Sequence, residues 1–302
     1  MENNIVKHES KKPTFTMMIN SEGYKKLINK TLGDPSKAQR FVASITSAVV
    51  TNPQLQECDA QSIISAGFLG ESLNLSPSPQ LGQYYLVPFN DNKNNRKVAQ
   101  FQLGYKGYIQ LAIRSGYYKK LNVLAVKEGE LVKFDPLNEE IEVNLIEDEE
   151  NREKAATIGY YAMFEYTNGF RKAIYWSKAK MESHADKYSA AFSKDATVVN
   201  GKGGKKYNKV SFDDYSKGNY PQEDAWLYSS FWYKDFDGMA YKTMLRQLIS
   251  KWGIMSTEMQ EAYSKDTATI NNDGTYDYID NDNNIVIEQP EPIGEEVDIN
   301  AL

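Results

Sequence analysis

The chain is 302 residues long, 41% hydrophobic and 25% charged, with a formal net charge of −6 at neutral pH. That length suits one large domain or two small ones with a substantial core, and no apolar run approaches the ~18–20 residues needed to cross a bilayer. The single cysteine, Cys58, excludes an internal disulfide and fits a reducing, cytosolic compartment, and the opening MENNIVKHESKKP lacks the hydrophobic stretch of a secretory signal.

The average charge hides an asymmetry. Glu258 to Leu302 carries twelve acidic residues against one basic residue, Lys265, while residues 1–257 carry 34 basic and 29 acidic residues. A basic body with an acidic tail points to a polyanionic partner and a solvated or regulatory tail, although acidic tails also serve solubility alone. Residues 1–33 form a polar N-terminal segment with two short apolar stretches, a candidate contact between protomers. Residues 34–257 form the body, and 258–302 an acidic region, a candidate partner-binding segment.

Along the chain, Asp34-Pro35 reads as a helix start, with Asp capping and Pro suited to the first turn. The helix passes through Phe41, Ile45, Ala48 and Val49 and stops near Asn52-Pro53. Asp59 caps a second helix whose Ile63, Ala66, Gly67 and Gly70 follow helical spacing, with glycines that allow close approach. The two form a helical hairpin. Residues 83–89 and 98–103 read as strands around a polar loop.

Next come three glycine–tyrosine pairs within fourteen residues: Gly104-Tyr105, Gly107-Tyr108 and Gly116-Tyr117. A helix starts near Tyr105, with Ile109, Ala112 and Ile113 apolar and Lys106, Gln110 and Arg114 recurring every four residues on the other side. Residues 121–126 and 131–134 read as strands. Residues 139–153 read as an acidic, solvent-facing hairpin or loop. Residues 158–166 and 170–176 around Asn168-Gly169 give the strongest hairpin signal. Ser177 caps a helix carrying Lys178, Lys180, Met181, His184 and Tyr188, and 193–222 reads as a mobile basic loop. One long helix is expected over 223–252 and another through Tyr263, followed by a polar linker at 271–284. The order predicts an α+β fold: a central, mostly antiparallel sheet with hairpins, flanked by helices, plus a separate acidic C-terminal tail.

Several chemistries find no support. Gly201 to Lys206 lacks the spacing and the strand–helix setting of a phosphate-binding Walker loop. With His8 and His184 the only histidines and Cys58 alone, a zinc site or a Ser/His/Asp triad is not expected. The acidic runs have no apolar framework to position magnesium for nuclease work. No catalytic residue, metal site or cofactor is expected.

Basic residues near aromatic rings are what a single strand of nucleic acid requires. Four groups supply them. The first is Lys106, Arg114, Lys119 and Lys120. The second is Arg171 and Lys172 with Lys178 and Lys180. The third is Lys202, Lys205 and Lys206, and the fourth Lys242, Arg246 and Lys251. Each alone is more often a solvated face; together they favour binding along a phosphate backbone. A helix start near Tyr105 also aims backbone N–H groups at a phosphate. Tyr108 and Tyr118 fit core positions, leaving Tyr105 and Tyr117 as stacking candidates. The DNA-binding candidates are Tyr105, Lys106, Gln110, Arg114, Tyr117, Lys119, Lys120, Lys127, Arg171, Lys178, Lys205, Lys206, Lys242, Arg246 and Lys251.

Three blocks carry a family resemblance: residues 81–89 (LGQYYLVPF), residues 104–116 (GYKGYIQLAIRSG), and residues 239–248 (MAYKTMLRQL), which fits the pattern M-A-x-K-T-x-x-R-x-L. With residues 69–75 (LGESLNL) upstream, the chain resembles the RecT single-strand annealing proteins of phages and prophages over about residues 35–257. The resemblance implies an ATP-independent recombinase that oligomerises into rings or helical filaments. It would bind single-stranded DNA and anneal complementary strands into duplex in the cytoplasm of a bacterial host. Implied partners are a phage exonuclease and the host single-strand binding protein; magnesium enters only as an aid to pairing. Lys106, Arg114, Lys242 and Arg246 are the DNA contacts the resemblance transfers. The alternatives are a passive single-strand binder, a magnesium-dependent nuclease, and a scaffold whose basic face takes an acidic protein.

Overall fold

A computed structural model describes residues 14–91, 94–138, 140–189, 191–193, 197–200, 206–271, 275–277 and 284–287. The chain divides into two units, one of residues 1–119 and 253–279, the other of residues 120–252 and 280–302.

The first unit opens with α1 (Phe15–Ile19) and α2 (Glu22–Leu32). In α3 (Pro35–Thr51) the expected cap forms: the Asp34 carboxylate accepts from the Ser36 and Lys37 amides at 2.7 and 3.2 Å. A 3₁₀ turn (Pro53–Glu57) leads to α4 (Ala60–Ser72), capped by Asp59. The glycines of α4 let its neighbours close in. A Cβ on Gly67 would lie 2.7 Å from the Ile45 Cδ1, and one on Gly70 would lie 2.3 Å from the Tyr84 ring. Strands β1 (Tyr84–Asp91) and β2 (Arg96–Leu103) pair antiparallel from Tyr84–Leu103 to Asp91–Arg96. Ile45, Ile63, Ile64, Tyr84 and Phe101 make the core. α5 (Tyr105–Ser115) follows and ends at Gly116, whose φ of 75° suits the left-handed helix terminus.

β3 (Tyr118–Lys127) carries the chain onward. β4 (Leu131–Asp135) and β5 (Glu140–Val143) form a hairpin, followed by α6 (Glu149–Lys154). β6 (Thr157–Tyr166) and β7 (Arg171–Ser177) pair around Gly169 at φ 88°, and with β3 make a sheet ordered β3-β6-β7. Ser177 caps α7 (Lys178–Tyr188), its Oγ accepting from the Lys180 amide. Then come β8 (Thr197–Asn200), β9 (Lys206–Tyr207), α8 (Phe212–Ser216), a 3₁₀ turn (Gln222–Tyr228), α9 (Phe231–Lys234) and α10 (Phe236–Trp252). The chain returns to the first unit with α11 (Thr257–Ser264), β10 (Thr269–Ile270) and β11 (Tyr276–Asp277). β12 (Asn284–Ile287) pairs parallel with β8. The fold is α+β, with antiparallel sheets flanked by helices; the strands belong to several small sheets.

Three local expectations change. The long helix over 223–252 is three pieces. Ser230 caps α9 by accepting from the Trp232 amide at 3.3 Å, and Asp235 leaves helical geometry at φ −148° and accepts from the Gly238 amide at 3.0 Å. Short polar side chains that bond nearby amides compete with helix continuation. The acidic insert contains α6 as well as the hairpin. The described part of 193–222 packs: Phe212 stacks on Phe236, with centroids 4.6 Å apart, and Tyr215 stacks on Tyr220 at 5.2 Å. Residues 194–196 and 201–205 of that segment lie outside the described residues. The acidic stretch counted from Glu258 begins inside the first unit, since α11 and β10 are part of it.

Candidate nucleic-acid interface

In the first unit the glycine–tyrosine segment is built on close backbone approach. The Gly104 amide donates to the Gln83 carbonyl at 2.8 Å. A Cβ on Gly104 would lie 2.1 Å from the Gly82 carbonyl oxygen, and one on Gly107 would lie 2.1 Å from that of Gln83. The glycines press the first turn of α5 against the entry to β1. No side chain caps this helix at Gly104. Tyr108, Leu111 and Ala112 are buried, which leaves Lys106, Gln110 and Arg114 on the exposed side. The stem of Lys106 passes Gly82, and its ammonium lies 6.0 Å from the Tyr105 ring centroid. Arg114 is partly occupied by the fold, donating to the Leu73 carbonyl at the end of α4 at 2.6 Å.

Of the tyrosines, Tyr108 and Tyr117 fall as expected, while Tyr105 and Tyr118 do not separate into surface and core. Tyr108 is buried and Tyr117 is exposed. Tyr105 and Tyr118 are half-buried, and the Tyr118 hydroxyl donates to the Ile254 carbonyl at 2.8 Å. Lys119 is exposed. Sequence reasoning missed Asp266. This carboxylate is buried and accepts from the Leu103 amide at 2.9 Å and the Tyr108 hydroxyl at 3.5 Å, so it holds the β2–α5 turn. Its charge was counted with the tail, and no local pattern marks it.

In the second unit the candidates are more often engaged with the protein. Lys120 lies 3.5 Å from the Glu165 carboxylate. Lys127 donates to the Thr157 hydroxyl at 3.0 Å, and Arg171 to the Tyr161 hydroxyl at 3.3 Å. Lys178 sits 4.0 Å from Glu182 and 5.9 Å from the Phe212 ring centroid. Lys206 and Lys251 are exposed and Arg246 is half-buried. Lys242 is buried in the inward face of α10. Lys205 lies outside the described residues. Within the segment read as a basic loop, Lys209 is buried and donates to the Ala191 carbonyl at 2.7 Å. Burial pushes its ammonium down to about 8.

The same unit pairs cations with rings that sequence reasoning left aside. The buried Lys172 sits 3.5 Å from the Trp252 ring centroid, and Lys180 4.5 Å from that of Trp176. His184 packs edge-on to Trp176 at 5.3 Å and against Tyr188 at 4.6 Å. Burial holds the His184 pKa below the usual imidazole value. Among the described residues no group of three or more His, Cys, Asp or Glu could hold a metal ion, and no helix is long and apolar enough to cross a membrane.

The α5 segment of the first unit thus combines the exposed Lys106, Gln110 and Arg114 with a helix start that no side chain caps. The family model described as the RecT family matches residues 39–280. The chain belongs to the RecT family, which places it among proteins of DNA recombination and single-strand annealing. It is 37% identical over 275 residues to the uncharacterized protein YqaK of Bacillus subtilis (strain 168), covering 89% of this chain and 80% of that protein. It is 34% identical over 119 residues to Protein RecT of Escherichia coli (strain K12), covering 39% of this chain and 44% of that protein.

Proposed function

We propose that this protein binds single-stranded DNA and anneals complementary strands without nucleotide hydrolysis, as a ring or helical filament of protomers in the bacterial cytoplasm. The observation that carries the reading is the exposed Lys106–Gln110–Arg114 side of α5, inside the stretch that matches the RecT family. An annealer must hold phosphates while leaving base edges free to pair, so its contacts are Lys, Arg and backbone N–H rather than base-edge readers. The pairing energy comes from the strands themselves, so the protein makes and breaks no bond. Repeated protomers along one strand add their charge neutralisation and make binding steeply salt-dependent. A phage exonuclease would supply the single strands, a host single-strand binding protein would cover them first, and magnesium would assist pairing without a dedicated site.

The test mixes complementary oligonucleotides with the purified protein across a salt series, without ATP, and follows duplex formation and particle size. The reading expects accelerated pairing that fades as salt rises, by large particles. Binding without acceleration would leave a passive single-strand binder, and loss of labelled ends with magnesium would indicate a nuclease.

A further inference from the structure

α7 has two sides, set by helical spacing. Met181 and Ala185 are buried against the sheet. To one side lie Lys178 and Glu182, paired with each other. To the other lie Lys180, His184 and Tyr188, at successive four-residue steps, with Lys187 beside them. Trp176, from the end of β7, continues this row. The rings run Trp176, His184, Tyr188, with centroids 5.3 and 4.6 Å apart. Lys180 stands 4.5 Å from the Trp176 centroid and Lys187 stands 5.3 Å from that of Tyr188. Tyr188 is 66% exposed, with the His184 ring packed against it at 4.6 Å between centroids.

We infer that the Trp176–His184–Tyr188 row is a base-stacking subsite for single-stranded DNA, with Tyr188 as the open ring and Lys180 and Lys187 as its phosphate contacts. The inference rests on the proposed single-strand binding and names where in the second unit the bases would lie. Three observations favour a single strand over other partners. The row joins flat rings to cations within one helix side, as a strand with stacked bases and flanking phosphates requires. Each ring adjoins the next, at 5.3 and 4.6 Å between centroids, so the aromatic surface is continuous along the row. The carboxylates of α7, Glu182 and Asp186, four residues apart, fall on the other side of the helix from the row; recognition through ring faces is indifferent to sequence and leaves the pairing edges open. A base on Tyr188 would be half-prepared for pairing. Once in duplex it stacks on its neighbours and has no need of the tyrosine, so the row should discriminate against the annealed product.

The experiment compares the full-length chain with Tyr188→Ala, Tyr188→Phe and the Lys180→Ala/Lys187→Ala pair. It measures affinity for labelled oligo-dT and for duplex of the same length, with thermal melting as a folding control. Tyr188→Ala should lose about tenfold or more on oligo-dT, the range of one lost stacking contact, with little change on duplex. Tyr188→Phe, which keeps the ring, should bind like the parent. The lysine pair should weaken both DNA forms and flatten the salt dependence. Unchanged oligo-dT binding by Tyr188→Ala, or equal losses on both DNA forms, would overturn the subsite. Should the parent protein itself fail to bind oligo-dT, the proposed function fails instead.

Discussion

Lys106 and Lys242 occupy two motif blocks of one family, yet their surroundings assign their loss to different measurements. Lys106 is exposed, so Lys106→Ala should leave the melting temperature in place and weaken single-strand binding, lowering the slope of log affinity against log salt by about 0.7, one phosphate's share. Lys242 is buried, so Lys242→Ala should cost about 1–3 kcal/mol of stability through its lost stem and contacts. A urea titration beside a salt series separates the two; equal melting behaviour of the variants would refute the distinction. The motif was readable in the sequence, but burial was not, because four-residue spacing does not say which side of α10 faces inward. His184 gives a pH test. Burial depresses its folded pKa, so the folded state binds a proton less readily than the unfolded chain. Stability is whole above the ordinary imidazole value of about 6.5 and falls as pH drops from there through the depressed folded value. His184→Phe should flatten the melting temperature between pH 7 and 5; an unchanged pH profile would show that this imidazole is not the source.

At the scale of elements, the caps and turns made most of the fold legible. Asp34, Asp59 and Ser177 start their helices as their side-chain chemistry requires, and Asn168-Gly169 closes its hairpin. What sequence could not supply was the consequence of distant contacts. Glu130 lies between two strand-like segments in the sequence and carries no local signal, but its side chain is fully buried and gathers the acidic insert. It accepts from the Arg152 guanidinium at 2.6 Å, from the Lys127 amide at 2.8 Å and from the Ile146 amide at 3.2 Å. Burial alone would raise its pKa; the Arg152 and amide bonds outweigh that and hold it below the usual carboxylate value. Its contribution is therefore present above the ordinary value and lost as pH falls through the folded one. Glu130→Gln should destabilise the second unit by roughly 2–3 kcal/mol, less than a fully buried broken pair because Arg152 is partly exposed. Chemical denaturation measures this, and the loss should shrink in acid as the parent's carboxylate is itself protonated.

For the whole molecule, the decisive fact is that the chain leaves its first unit after Lys119 and returns at Gly253. The return segment completes that unit. Ala268 bridges Phe101, with the Phe101 amide donating to the Ala268 carbonyl at 3.1 Å and the Thr267 amide to the Phe101 carbonyl at 2.8 Å. Asp266 secures the Leu103 amide two residues before α5 begins. Thr267 holds a φ of 69°, unfavourable for a β-branched residue, and these bonds on either side of it stabilise the conformation. A charge count cannot reveal this, because it merges the buried, hydrogen-bonded Asp266 with every other acid from Glu258 onward. Ending the chain after Trp252 removes the bridge to β2 and the carboxylate that positions the β2–α5 turn, and should unfold the first unit. Asp266→Ala in the full-length chain leaves the Leu103 amide without its buried acceptor, a loss on the order of 1–3 kcal/mol. It should also slacken the turn that presents Lys106, so single-strand affinity falls although no DNA-facing side chain has changed. Hydrogen exchange at Leu103 and the first turn of α5 would register that loosening, and protection equal to the parent's would remove Asp266 from the role.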